Sequence, residues 1–307
     1  MPTSFRWLVR KERFDEARSS LLRLTSPESG PDFNLDHTLA QMKQTNEFER
    51  TVSEGTSYRD CFRGTGLRRT EITCGVWLVQ SLCGSTFMGY STYFYRQAGL
   101  DVSNAFTLSL AQYALGVVGV VVSWFLMPHN GRRRLYITGQ SMLFCLLVII
   151  GLCGIASVDN SAAQWAIGSM LLLFTFTYNC SVGPVCYSLV AEMPSTRLRQ
   201  KTVVLARNAF LIGSLLSNII TTRQLNPKAW DWGPFSAFFW AGTGFVMLVW
   251  SFFRLPEPKD RTYGELDVLF EMGVPARRFR TTMFDTNDHM EAVIGGKLST
   301  SEYVEKL

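Results

Sequence analysis

Residues 166–202 read AIGSMLLLFTFTYNCSVGPVCYSLVAEMPSTRLRQKT. No charged residue stands between Ala166 and Tyr187. At a rise of about 1.5 Å per residue, some twenty residues of helix cross the ~30 Å hydrocarbon core of a bilayer. Gly183-Pro184 interrupts that helix near its end. Proline offers no backbone N–H, and its ring clashes with the preceding turn, so the helix must kink or loosen. Lipid tolerates broken backbone only where protein or a water-filled cavity shelters it, and broken membrane helices often border solute sites. A kinked packing helix is the plainer reading of Gly-Pro alone. Beyond it come Glu192, Arg197, Arg199 and Lys201, an acid and a basic cluster where the helix should leave the membrane.

Working outward, six apolar segments of spanning length are predicted: 72–95, 105–127, 135–156, 165–190, 203–222 and 233–253. The fold class is an all-α membrane protein with six transmembrane helices. The division is a polar 1–71 linker with short amphipathic helices, a 72–253 bundle and a 254–307 tail. The loops around Arg132-Arg133-Arg134 and around Arg197, Arg199 and Lys201 are the most basic, which places them, and both termini, in the cytoplasm.

In the linker, Phe14, Ala17, Leu21 and Leu24 fall at helical spacing, and Asp36 is expected to cap a second helix carrying Leu39 and Met42. In the tail, Tyr263 to Phe270 is expected to form a short helix docked through Leu266 and Phe270. The run Arg277-Arg278-Phe279-Arg280 is expected to rest near anionic headgroups, with disorder beyond about Asp285.

Of the 307 residues, 47% are hydrophobic, with 22 Phe and 8 Trp. The polar ends dilute a very apolar middle, so class is read from the middle. A net charge of +5 fits basic loops and gives no reason to expect nucleic acid. Seven cysteines, six of them in apolar stretches, fit neither a disulfide framework nor a zinc site. The opening residues lack the apolar core of a signal peptide.

No catalytic constellation is present. His37, His129 and His289 lie on separate polar segments, and there is no phosphate-cradling glycine loop and no pair of intramembrane carboxylates. The chain therefore reads as neither an enzyme nor a cofactor or metal protein. The spans offer neutral hydrogen-bonding groups instead: Gln80, Ser81, Ser85, Thr86, Tyr90 and Tyr93, then Gln112 and Tyr113, Asn179 and Tyr187, and Asn208 and Asn218. Gly84 and Gly89 must let the first span bend if Gln80, Tyr90 and Ser91 are to share a face. Amides donate and accept, and aromatic rings stack on apolar sugar faces, so the set suits a neutral hydroxyl-rich ligand such as a sugar. Singly, each is as well explained as glue between helices. Arg207, one turn inside the fifth span, is read as snorkelling to the interface.

Several segments together resemble the sugar porters of the major facilitator superfamily, over residues 1 to about 284. Gly183-Pro184-Val185-Cys186-Tyr187, with Glu192 and Arg199 downstream, is similar to the family's tenth-helix signature. Gly131-Arg132-Arg133 with Gly139 is similar to its loop between helices eight and nine. Gln80-Ser81-Leu82-Cys83-Gly84 with Tyr90 resembles the seventh-helix sugar motif. Pro256-Glu257-Pro258-Lys259 resembles the signature after helix twelve, and Pro2 to Leu8 the one after helix six. Leu205-Ala206-Arg207-Asn208, Asn226-Pro227-Lys228-Ala229-Trp230, Phe239-Trp240-Ala241-Gly242 and Arg261-Thr262-Tyr263-Gly264-Glu265-Leu266-Asp267 bring the wording nearest to fungal maltose or α-glucoside permeases. Ser81, Thr86, Tyr187 and Pro128 depart from the commoner residues of hexose porters.

The resemblance implies the C-terminal half, helices seven to twelve, of a proton-coupled α-glucoside importer of the plasma membrane. It implies a neutral sugar, an α-glucoside or a hexose, as partner in the bilayer, with contacts from Gln80, Tyr90 and Tyr187; Gln112 and Asn208, from the polar set of the spans, complete the expected substrate contacts. It implies gating at Gly183 and Pro184, and a cytoplasmic charge lock of Arg132, Arg133, Glu192 and Arg199. The proton site is expected in the other half, so this chain alone is expected not to transport. A non-transporting sugar sensor of the same fold is the alternative.

Overall fold

The computed structural model describes residues 8–9, 13–24, 40, 56–97, 99–156, 161–195, 197–259, 261 and 263–279. It divides into two compact units, 1–57 and 58–307. In the first, helix α1 (Phe14–Leu24) opens with Asp15 and Glu16, the charge sign that suits a helix N-terminus. Ala17 and Phe14 pack with Leu8 and Val9. The helix expected after Asp36 and the expected disorder beyond Asp285 lie outside the described residues.

All the regular elements described in the second unit are helices. Its helices are α2 (Gly64–Leu82), α3 (Thr86–Gly89), α4 (Ser91–Gln97), α5 (Val102–Asn130), α6 (Arg132–Ala156), α7 (Ser161–Cys180), α8 (Val182–Glu192), α9 (Arg199–Leu225), α10 (Ser236–Arg254) and α11 (Tyr263–Glu271). Among the described residues, five stretches are long and apolar enough to cross a bilayer: Val102–Asn130, Arg132–Ile155, Ser161–Glu192, Arg199–Leu225 and Gly233–Arg254. The first expected span is divided among α2, α3 and α4; α2 is long enough, but its Arg68, Arg69 and Glu71 leave it short of the apolar character of the other five. α2 packs on α9, α5 on α7, α6 on α7 and α10, and α8 reaches α2 and α6. Ile72, Val76, Leu143, Leu147, Phe174, Val185, Leu189 and Trp240 fill the core between them.

Both expected breaks occur, and both have local causes. Gly84 adopts φ +83°, which a residue with a Cβ rarely does. The carbonyls left at the end of α2 are taken by side-chain hydroxyls. Ser85 Oγ donates to the Gln80 carbonyl, Ser217 Oγ to that of Ser81 at 3.2 Å, and Thr243 Oγ1 to that of Leu82 at 2.8 Å. Where no water competes, that substitution is what allows a helix to stop inside the bundle. The second break falls at Ser181 (φ −128°, ψ −79°), earlier than the expected Gly183-Pro184. Proline's ring meets the carbonyl four residues back and it offers that carbonyl no donor. The disruption therefore belongs to Cys180 and Ser181, while Pro184 itself sits comfortably in the first turn of α8.

Candidate functional site

The two breaks meet. Gln80 Nε2, in the last turn of α2, donates to the Gly183 carbonyl at 3.2 Å. Gln80 is buried, as is Cys186, whose thiol points at the Val76 carbonyl. One turn along α8, Tyr187 is 59% exposed, and its ring sits edge-on to Trp77, centroids 5.1 Å apart. Trp77 also packs on Phe210 of α9 at 4.9 Å. The Arg207 guanidinium lies over both rings, 4.8 Å from each centroid. Arg207, expected to snorkel, is exposed, and its cation rests on two aromatic faces. Asn208, beside it, is exposed. The buried Trp77 indole N–H has no hydrogen-bond partner among the described residues.

The result is a wall with an aromatic floor, one cation, one phenol and one open amide. Such a surface can stack against the apolar face of a pyranose while polar groups meet its hydroxyls.

The other expected contacts lie elsewhere. Tyr90 is half-buried, and its phenol oxygen accepts from Thr222 Oγ1 at 3.3 Å, joining the second bend of the first span to α9. Gln112 is fully buried and its amide is used on both sides. It accepts from the Tyr95 hydroxyl at 3.0 Å and donates to the Met88 carbonyl at 3.2 Å. It pins α3 and α4 to α5 rather than facing an opening. Asn179 donates to the Thr175 carbonyl within its own helix, with Gly116 and Gly119 of α5 pressed against it. That is the small-residue contact by which membrane helices approach closely.

At the basic end, Arg132 Nη2 pairs with Glu192 Oε1 at 3.3 Å. The other two expected members of the charge lock turn away. Arg133 Nη2 donates to the Phe252 carbonyl at 2.9 Å, and the Arg199 guanidinium lies over the Tyr263 ring at 4.1 Å. The residue that sequence reasoning left without a role is Glu257. Its carboxylate accepts from the backbone amides of Arg132 (2.9 Å), Arg133 (3.1 Å) and Arg134 (3.4 Å). These are orphan donors at the start of α6, where a negative charge also suits the helix dipole.

The tail helix α11 docks as expected, with Leu266 and Phe270 buried. Its anchor was not foreseen: buried Arg69 pairs with Asp267, donates to the Leu266 carbonyl at 2.8 Å and stacks on Phe270 at 4.2 Å. Burial pulls the Arg69 guanidinium pKa down, and the Asp267 carboxylate pulls it back up.

Residues 1–270 match the family of sugar (and other) transporters. Maltose permease MAL61 of Saccharomyces cerevisiae is 42% identical over 287 residues, which is 92% of this chain and 46% of that protein. The general alpha-glucoside permease of the same yeast is 41% identical over 286 residues, 92% of this chain and 46% of its own length. The chain spans about half the length of the curated relatives it matches. Among solved structures, the proton:xylose symporter XylE bound to 6-bromo-6-deoxy-D-glucose superposes with a TM-score of 0.62 at 18% identity. That match covers 88% of this chain and 55% of XylE. The inward-open form of XylE from E. coli gives a TM-score of 0.57.

Proposed function

This chain belongs to the sugar transporter family, and from that premise we propose that it supplies one wall of a transmembrane pathway for an α-glucoside. The observation that carries the reading is the Tyr187–Trp77–Phe210–Arg207 cluster beside the paired breaks at Gly84 and Ser181. Maltose-like substrates are favoured by the identity to yeast maltose and α-glucoside permeases. The basic end is cytoplasmic by the charge of its loops, and the plasma membrane is the expected site. Within 72–253 the acidic residues are Asp101, Asp159, Glu192 and Asp231, all at or beyond span ends. A coupling proton would therefore be handled by groups outside these segments.

One wall does not enclose a solute. In permease-deficient cells, these 307 residues alone are expected to accumulate no labelled maltose. Binding is the sharper test: the purified chain in nanodiscs is titrated with maltose and with mannitol as a non-sugar polyol. Selective maltose binding that falls roughly fivefold in Tyr187→Ala supports the reading, one lost stacking contact being worth about 1 kcal/mol. Equal binding of maltose and mannitol, or none of either with Tyr187 intact, overturns it.

A further inference from the structure

At the basic end, two guanidiniums converge on one exposed ring. Arg277, just after the Pro275 turn, lies 4.4 Å from the Phe252 centroid and 4.9 Å from that of Phe253. Arg133 lies over the same Phe252 ring at 6.0 Å. Two like charges sharing a ring repel each other. Glu257 offsets the Arg133 charge in part, but among the described residues neither Arg133 nor Arg277 is in a direct ion pair with a carboxylate. Glu257, the nearby acid, points its oxygens at backbone amides. The Arg133 Nε is buried and has no hydrogen-bond partner among the described residues.

The apolar surroundings are equally specific. Phe252 is 46% and Phe253 58% exposed, and they end a stripe on α10 that includes Phe245, Val246 and Val249, all exposed. The stripe runs along a membrane-crossing helix and stops at the two cations, at the depth where hydrocarbon gives way to headgroups.

We propose that Arg133 and Arg277, over the Phe252 ring, bind the phosphodiester of an anionic phospholipid whose acyl chain lies along the Phe245–Phe253 face of α10. Guanidiniums suit this because their planar forks match phosphate oxygens in pairs and because they stack on aromatic faces. A lipid supplies both halves of what the site lacks, an anion between the cations and hydrocarbon on the rings. A free phosphate supplies only the first.

The test takes the 307-residue chain into detergent with equimolar phosphatidylglycerol and phosphatidylcholine and reads retained lipid by native mass spectrometry. The wild type is expected to keep phosphatidylglycerol selectively. Arg133→Gln/Arg277→Gln is expected to lose that retention by roughly thirtyfold, about fivefold per charge. Arg277→Lys, which keeps the charge, loses less, and Lys228→Gln at the opposite end loses nothing. Equal retention of the two lipids by the wild type overturns the site, as does undiminished retention by the double variant. Displacement by millimolar inorganic phosphate overturns the lipid assignment in favour of a soluble anion. Should the double variant fail to fold, the wild-type lipid preference and the phosphate competition still decide.

Discussion

Gln80 and Gly183 are 103 positions apart, and a single hydrogen bond of 3.2 Å ties the side chain of the first to the backbone of the second. Each stands beside an interrupted helix. The bond links the bends at Gly84 and Ser181, so rotation of one half-helix is felt by the other. Gln80→Leu leaves the Gly183 carbonyl without this donor while nearly keeping the volume. We expect it to cost about 1 kcal/mol of stability, read as a lowered melting temperature in nanodiscs. We also expect maltose affinity to fall beyond what Gln80→Glu loses. If both variants melt and bind as the wild type does, the two bends are independent.

The Arg207 cation over Trp77 and Phe210 makes a second prediction. Cation–aromatic contacts are worth about 0.5–2 kcal/mol, more where water is scarce. Trp77→Leu removes the better ring and frees the guanidinium, and it should weaken sugar binding several-fold while leaving the helices intact by circular dichroism. Arg207→Lys keeps the charge but loses the flat stacking face, so it should fall between wild type and Arg207→Ala. Arg207→Ala binding maltose at full affinity would remove the cluster from the site.

Glu257 holds the start of α6 by three amides at once. Glu257→Gln keeps one acceptor oxygen and loses the charge that suits a helix N-terminus. The expected loss is about 1–2 kcal/mol, with the Arg132–Glu192 pair loosened because Arg132 begins that helix. Charge attraction of this kind is screened by salt, so the gap between wild type and Glu257→Gln should narrow as ionic strength rises. A constant gap would mean that the carboxylate acts only as a hydrogen-bond acceptor.

Much of the fold could be read from local pattern. The apolar runs are as long as a bilayer is thick, so five of the six expected crossings are legible, while the first is divided by its own breaks. Gly84 and Pro184 disrupt helices for reasons internal to a few residues, so the breaks were found, one displaced because proline acts on the turn before it. Leu266 and Phe270 docked because helical spacing already put them on one face. What escaped was non-local. The two rings that Arg207 meets come from positions 77 and 210, and only the packing of α9 on α2 brings the first of these to it. Nothing in the segment of Gln112 reveals that its amide meets the Tyr95 hydroxyl and the Met88 carbonyl. The amide donors at α6 that Glu257 meets lie more than 120 residues earlier.

Gly75 offers a last prediction whose sign is diagnostic. It sits in the middle of α2, and a Cβ there would overlap the Trp250 indole of α10. In an open helix, Gly→Ala stabilises by about 1 kcal/mol through backbone entropy. Here the added methyl should instead overpack the α2–α10 contact and cost about 1–3 kcal/mol. It also strains the bond from Trp250 Nε1 to Glu71 Oε1, 3.3 Å long, at the end of the span. Trp250→Leu opens the space at its own cost in lost packing. In that background Gly75→Ala should turn stabilising, and the coupling between the two substitutions, from thermal melts of the four proteins, should exceed 1 kcal/mol. Additive effects would mean that α2 and α10 do not meet through this pair, and the close approach that lets α10 cover the first crossing would have to arise elsewhere.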